Sequence, residues 1–212
     1  MGFLEELREK HAAGIRQAKL AAWEAEQQAL QHELDLAQNF RGLPDADGLQ
    51  LQAGELRYFT LSGAPLLEMQ RTQGHRTGVY GGPSFRVAKG VYMRSGAFRS
   101  HYVPGVEELE QVDIGTAHIT DRRAVFIGGK QTREFPFAKL IGYEHHPEGH
   151  YTQFSIQGRQ QPSCIRYGDQ GGDWCFRLDL AHAQFAGERD GFTASLRQEL
   201  ADHAEAKPPA NP

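Results

Sequence analysis

The chain has 212 residues, 39% of them hydrophobic and 24% charged, with 23 Lys and Arg against 27 Asp and Glu and a net charge of −4. That length and balance suit one folded domain with an appendage, and they exclude wholesale disorder and non-specific nucleic-acid binding by the molecule as a whole. No stretch nears the roughly 18 consecutive apolar residues of a membrane span, and Cys164 and Cys175, the two cysteines, are too few for a structural zinc centre of about four ligands.

Met1-Gly2-Phe3-Leu4-Glu5-Glu6 has no basic run ahead of an apolar one, so a secretory leader is not expected, and Glu6 stands where a myristoylation signal needs Ser or Thr. Residues 3–38 lack proline and are rich in Ala, Glu, Gln and Leu, which predicts one long helix or two joined near Gly14. Leu20, Trp23, Gln27, Leu30, Leu34 and Ala37 recur at spacings of three and four as a heptad stripe, while Leu4, Leu7 and Ile15 form a different one. Such a stripe serves a homo-oligomer through the N-terminal helix or packing onto the chain's own domain, or the helix is an exposed arm, and all three stay open. Asn39 to Gly48 is turn chemistry, with Gly, Pro and Asp-Gly in succession, and sets a boundary between a helix at 1–42 and a domain at 49–205. A tail, 206–212, is expected to be disordered.

Beyond that boundary short β-like runs alternate with glycine: 56–61, 65–71, 85–94, 97–103, 114–119, 124–127, 132–137, 140–145, 151–157 and 163–167. Their spacing favours an antiparallel sandwich or barrel over a parallel sheet, which would need crossover helices. Residues 173–185 read equally as strand or helix. Residues 192–204 read as a helix with Phe192, Leu196 and Leu200 on one face. The fold class expected is α+β, mainly antiparallel, with a helix at each end.

One segment stands apart in charge. Between Glu68 and Glu107 there is no acidic residue, yet Arg71, Arg76, Arg86, Lys89, Arg94 and Arg99 lie there among Tyr80, Phe85, Tyr92, Phe98 and Tyr102. Setting those six cations aside leaves the remainder with about ten excess negative charges. Ser95-Gly96 is a candidate two-residue turn pairing Arg94 with Ala97, Tyr92 with Arg99 and Gly90 with His101. Alternation then gathers Arg86, Tyr92, Arg94, Arg99 and His101 on one face, with Arg76 upstream, as candidate binding residues. Either these arginines pair with Glu107, Glu108 and Glu110, or they receive an acidic protein or an anionic lipid headgroup. The loop Gly78–Ser84 lacks the GxxxxGK[ST] pattern of a phosphate loop and is expected to be a surface loop.

Asp113 to Gly128, followed by Thr132 to Phe137 and Lys139 to Glu144, resembles the hairpin of bacterial pleckstrin-homology-like and GRAM-like domains. Gly115, Ile119, Thr120, Asp121, Arg123, Phe126 and Gly128 carry the likeness, and Ala117 is smaller than the family's usual Leu. The resemblance implies a small curved sandwich closed at one end by a C-terminal helix, here 192–204. It also implies a binding or assembly role, for lipid or protein, rather than catalysis. On the residues themselves, Thr120 to Arg123 is a turn with an Asx-type Asp121, and Val125, Phe126 and Ile127 supply core.

No GxSxG and no HExxH occurs, so no catalytic residue is assigned. His145-His146-Pro147-Glu148-Gly149-His150, with His118, is the richest metal candidate, but a solvated hairpin loop is the expected state and no metal or cofactor is assigned. Both thiols are expected to be buried and reduced, which suits a cytoplasmic setting, at most peripheral to the inner face of a membrane. The function expected is a non-enzymatic binding or assembly module of a bacterial cell. The alternatives are a small-ligand or metal-dependent enzyme using the His-rich loops, and a structural oligomer in which the basic hairpin meets an acidic face of a neighbour.

Overall fold

The computed structural model describes residues 2–45, 48–71, 75–81, 84–88, 91–94, 97–103 and 107–209, with side chains described outside 71–107 and most of 2–12. Helix α1 runs unbroken over Gly2–Asn39, through Gly14, around which an added Cβ would meet nothing. Strand β1 (Arg57–Arg71) opens the sheet, and β2 (His75–Gly81), β3 (Ser84–Ala88), β4 (Val91–Arg94) and β5 (Ala97–Val103) form an excursion from it. The chain returns through β6 (Glu107–Thr120), β7 (Arg123–Gly128), β8 (Thr132–Pro136), β9 (Leu140–His146), β10 (Tyr151–Ile156) and β11 (Ser163–Arg166). Helices α2 (Gly171–Ala186) and α3 (Arg189–Glu205) finish it.

The class is α+β around a seven-stranded antiparallel sheet, in the order β8-β7-β6-β1-β11-β10-β9. It consists of two meanders joined where β1 pairs with β11. The runs expected at 56–61 and 65–71 are one strand, with a register shift between Ser62 and Ala64 where Gly63 has φ +69°. The segment 85–94 is two strands rather than one, and Gly78 lies in β2 rather than in a loop. Phe135 of β8 and Phe154 of β10 stack with centroids 4.4 Å apart although they lie far apart in the strand order, so the sheet curls on itself. Where β6 crosses β7, Gly115 pairs with Gly128; a Cβ at Gly115 would sit 2.1 Å from the Ile127 carbonyl oxygen, so the close approach requires glycine.

Residues 173–185 belong to α2, and α2 rather than the 192–204 helix packs on the sheet. Trp174, Leu178 and Ala181, one helical face, are fully buried in the same core as Leu66, Ile119, Phe126 and Ile165. Gly187, with φ +73°, ends α2, and the Glu188 N–H donates to the Ala183 carbonyl at 2.9 Å. Helix α3 lies against α1 instead. Leu34 and Ala37 of the α1 stripe are buried, Leu20, Trp23, Gln27 and Leu30 are half-buried, and Trp23 stacks on His203 at 5.2 Å while donating to its carbonyl at 2.9 Å. The stripe between 20 and 37 is thus used within the chain. Arg189 closes the helix end, donating from Nε to the Ala37 carbonyl at 2.8 Å and from Nη2 to those of Leu36 and Phe40, a cation on the negative pole of α1.

A buried carboxylate fixes the β6–β7 turn. Glu55, 2% exposed, receives Arg123 through Nε at 2.7 Å and a terminal nitrogen at 2.9 Å, and the Thr120 hydroxyl at 2.7 Å. Burial opposes its charge, but those bonds and the Gln52 N–H hold its pKa below the usual carboxylate value. Thr120, not Asp121, makes the turn, its Oγ1 accepting from the Arg122 and Arg123 N–H groups; Asp121 accepts from the Leu56 N–H at 3.0 Å. Removing the cation strands Glu55, so Arg123→Leu is expected to cost about 3 kcal/mol, read as a lower urea midpoint, with Glu55→Gln in the same background recovering part of the loss.

Candidate functional site

The excursion between β1 and β6 is where the basic residues lie. Its strands form two-stranded ribbons, β2 with β5 and β3 with β4, and the register never slips from one to the next. Paired residue numbers add to 178 at Arg71↔Glu107, His75↔Val103, Gly81↔Ala97 and Ser84↔Arg94, the same value as at Glu68↔Glu110 inside the sheet. The three ladders thus share one register. Ala88 lies opposite Val91, one residue out of that register.

This corrects the expected pairing across Ser95-Gly96, a dipeptide outside the described residues: β4 takes β3 as partner and β5 takes β2. Local turn chemistry at Ser95-Gly96 does not decide the pairing, whereas the long β1–β6 register, carried outward, agrees with the one observed. The new pairing redistributes the candidate residues. Arg86 pairs with Tyr92 and Arg94 with Ser84, and these four share one face of β3–β4. Arg99 pairs with Val79 and His101 with Thr77, sharing one face of β2–β5, while Arg76 pairs with Tyr102 on the opposite face. The side chains of Arg76, Arg86, Tyr92, Arg94, Arg99 and His101 lie outside the described residues. Glu107, Glu108 and Glu110 are in register with Arg71, Gln70 and Glu68, at the base of the ribbon.

A second constellation, not anticipated from sequence, joins α2 to the sheet. Cys175, Asp179 and His182 fall at helical spacing on the side of α2 toward β9. The His145 ring stands between strand and helix, Nδ1 2.8 Å from Thr152 Oγ1 and Nε2 3.3 Å from Asp179 Oδ1. Tyr143 donates to the same Asp179 oxygen at 2.7 Å, and Trp174 Nε1 donates to Thr152 at 2.9 Å. Burial, the largest influence, disfavours the imidazolium, yet bonding and charge from Asp179 and Cys175 outweigh it and raise the His145 pKa to about 9. Burial first, then Asp179, pushes the Tyr143 phenol upward.

The His-rich loop divides its rings among different partners: His146 stacks on Tyr151 at 4.7 Å and His150 meets Tyr167 edge-on at 6.5 Å. His118, named as a further ligand, is buried with Nδ1 3.1 Å from Thr60 Oγ1. Among the described residues no group of three His, Cys, Asp or Glu is placed to hold a metal ion, and no helix is long and apolar enough to cross a membrane. Set against protein families, curated proteins and solved structures, the chain matches none of them.

The raised His145 pKa carries a sign. A group charged more readily when folded contributes stability fully present below its unfolded value of about 6.5 and lost as pH rises through about 9. Discounted for screening of a partly exposed pair, the loss is of the order of 1–2 kcal/mol. The urea midpoint should fall between about pH 6 and about pH 9.5 for the native chain and change less for His145→Gln, since the rest of the site remains in both.

Proposed function

We propose that the chain is a non-enzymatic binding or assembly module that docks an anionic group or acidic partner on its basic ribbon, working in the cytoplasm or at the inner face of a membrane. Arg86, Tyr92, Arg94, Arg99, His101 and Arg76 are the proposed contacts, and α1 serves as tether or oligomer contact through its exposed residues 13–19. One observation carries this reading. Each described arginine between β2 and β5 stands opposite an uncharged residue (Tyr102, Tyr92, Ser84 or Val79), in a segment without a carboxylate of its own. Like charges aligned along a ribbon repel, and an anion from outside relieves that repulsion.

The pleckstrin-homology-like assignment is part of the proposal. It is supported by the β6–β7 hairpin that carries the resemblance and by two meanders joined at β1 with a C-terminal helix packed on them. Members of that class act by docking, in keeping with a protein that carries a basic ribbon. The acid surplus of the rest of the chain favours a second reading, in which the occupant is another copy; light scattering over a salt series separates the two, because self-assembly then dissociates as screening rises.

Sedimentation with phosphatidylserine–phosphatidylcholine vesicles, against phosphatidylcholine alone, tests the lipid arm. At about 1 kcal/mol per cation near an anionic surface, Arg86→Ala with Arg99→Ala should weaken binding roughly 30-fold and flatten its salt dependence. Equal binding by the double variant and the native chain would remove the ribbon from the account.

A further inference from the structure

Helix α1 is longer than the surface that holds it. Helix α3 runs antiparallel to it, from Arg189 at the Leu36, Ala37 and Phe40 carbonyls to His203 stacked on Trp23. Lys207, just past α3, is still only 5.1 Å from the Trp23 ring. Residues 2–19 reach about 27 Å beyond that contact at 1.5 Å per residue. Ala13 to Lys19 are exposed throughout, Ile15 at 46%. A helix of that length is marginal in water without packing, so the arm calls for a partner of its own.

The arm also carries its own stripe. Leu4, Leu7, His11, Ile15 and Ala18 recur at spacings of three and four. At about 100° per residue they centre some 130° round the helix from the stripe between Leu20 and Ala37. That second stripe is the one α3 covers, so no extension of α3 would reach the first. The exposed Lys10–Glu6 ion pair, at 2.8 Å, is turned away from the arm's stripe. Charge decides which occupant fits. Residues 3–9 hold Glu5, Glu6 and Glu9 against Arg8, a net −2, and residues 13–19 hold Arg16 and Lys19, a net +2. A second copy laid antiparallel about His11 sets each acidic half on a basic one, with Leu7 across from Ile15 and Leu4 across from Ala18. A parallel pair would set like charge on like.

We propose that two copies of the chain pair antiparallel through residues 3–19 of α1. The proposal rests on the reading of α1 as an oligomer contact and is independent of what the ribbon binds. The contact is isologous and closes at two copies. It joins two basic ribbons in one particle, which raises avidity for an anionic surface.

Sedimentation equilibrium of the full chain from about 1 to about 100 µM tests it. The native chain should be a dimer, and Leu7→Glu with Ile15→Glu should raise its dissociation constant roughly 100-fold. The urea midpoint should not change, because neither residue belongs to the core. Arg86→Ala with Arg99→Ala should leave the dimer intact, so a ribbon that binds nothing and an arm that pairs with nothing are told apart. Oxidised His11→Cys should link two copies at position 11, located by peptide mass spectrometry. Leu4→Cys, about 21 Å along the axis from its counterpart, should not. A monomer over that range, a dimer that survives Leu7→Glu with Ile15→Glu, a dimer lost in the ribbon variant, or a link at Leu4→Cys as ready as at His11→Cys overturns the proposal.

Discussion

The antiparallel pairing of β1 with β6 is the constraint from which the other features follow. It runs from Arg57↔Thr120 to Arg71↔Glu107, the longest ladder in the molecule, and holds the centre of the sheet at one end and the ribbon at the other. Both meanders hang on it, β7 and β8 through β6, β11 to β9 through β1. Because side chains alternate along a strand, its register also decides which residues face the core, Leu61, Leu66, Ala117 and Ile119 among them. The closure of a loop some fifty residues long is entropically modest compared with the pairing it permits. The same register, carried outward, sets the faces of the ribbon.

Around this ladder the polar interior is arranged at two ends. Glu55 and Arg123 bind the turn after β6 to the segment before β1, and the Asp113 carboxylate receives the N–H groups of Lys130 and Gln131 at 2.8 and 2.9 Å in the turn after β7. In both cases a carboxylate takes up peptide or guanidinium donors that a tight turn would leave unpaired. The His145–Asp179–Tyr143 group plays the corresponding part between sheet and helix.

How much of this was legible in the sequence depended on whether the signal was local. The helix at 3–38, the alternating strands from 114 onward and the turn at 120–123 rest on neighbours within a few residues and were readable. Strand β2, His-Arg-Thr-Gly-Val-Tyr-Gly, was not, because three small or glycine positions hide its alternation and only pairing with β5 makes it a strand. Helix α2 stayed undecided between strand and helix for a physical reason: Trp174, Phe176, Leu178 and Leu180 recur with the period of a strand, and all four are buried because the helix is covered by the sheet on one side and packed against α3 on another. With that segment undecided, Cys175, Asp179 and His182 could not be placed on one face, and their approach to His145 stayed invisible. Glu55 and Arg123 are 68 residues apart, a separation at which no local pattern speaks.

The register shared by the excursion and the central pair bears on how such a chain can change over generations. Where partners keep one offset, from Leu67↔Gln111 to Arg86↔Tyr92, residues can be lost or gained only in matched pairs, one set from each strand. Removing two from each would shorten the paired strands by about 7 Å while leaving every face position as it was. An unmatched single deletion would instead turn one strand over relative to the other beyond the lesion. The length of the excursion is therefore adjustable separately from the sheet that carries it.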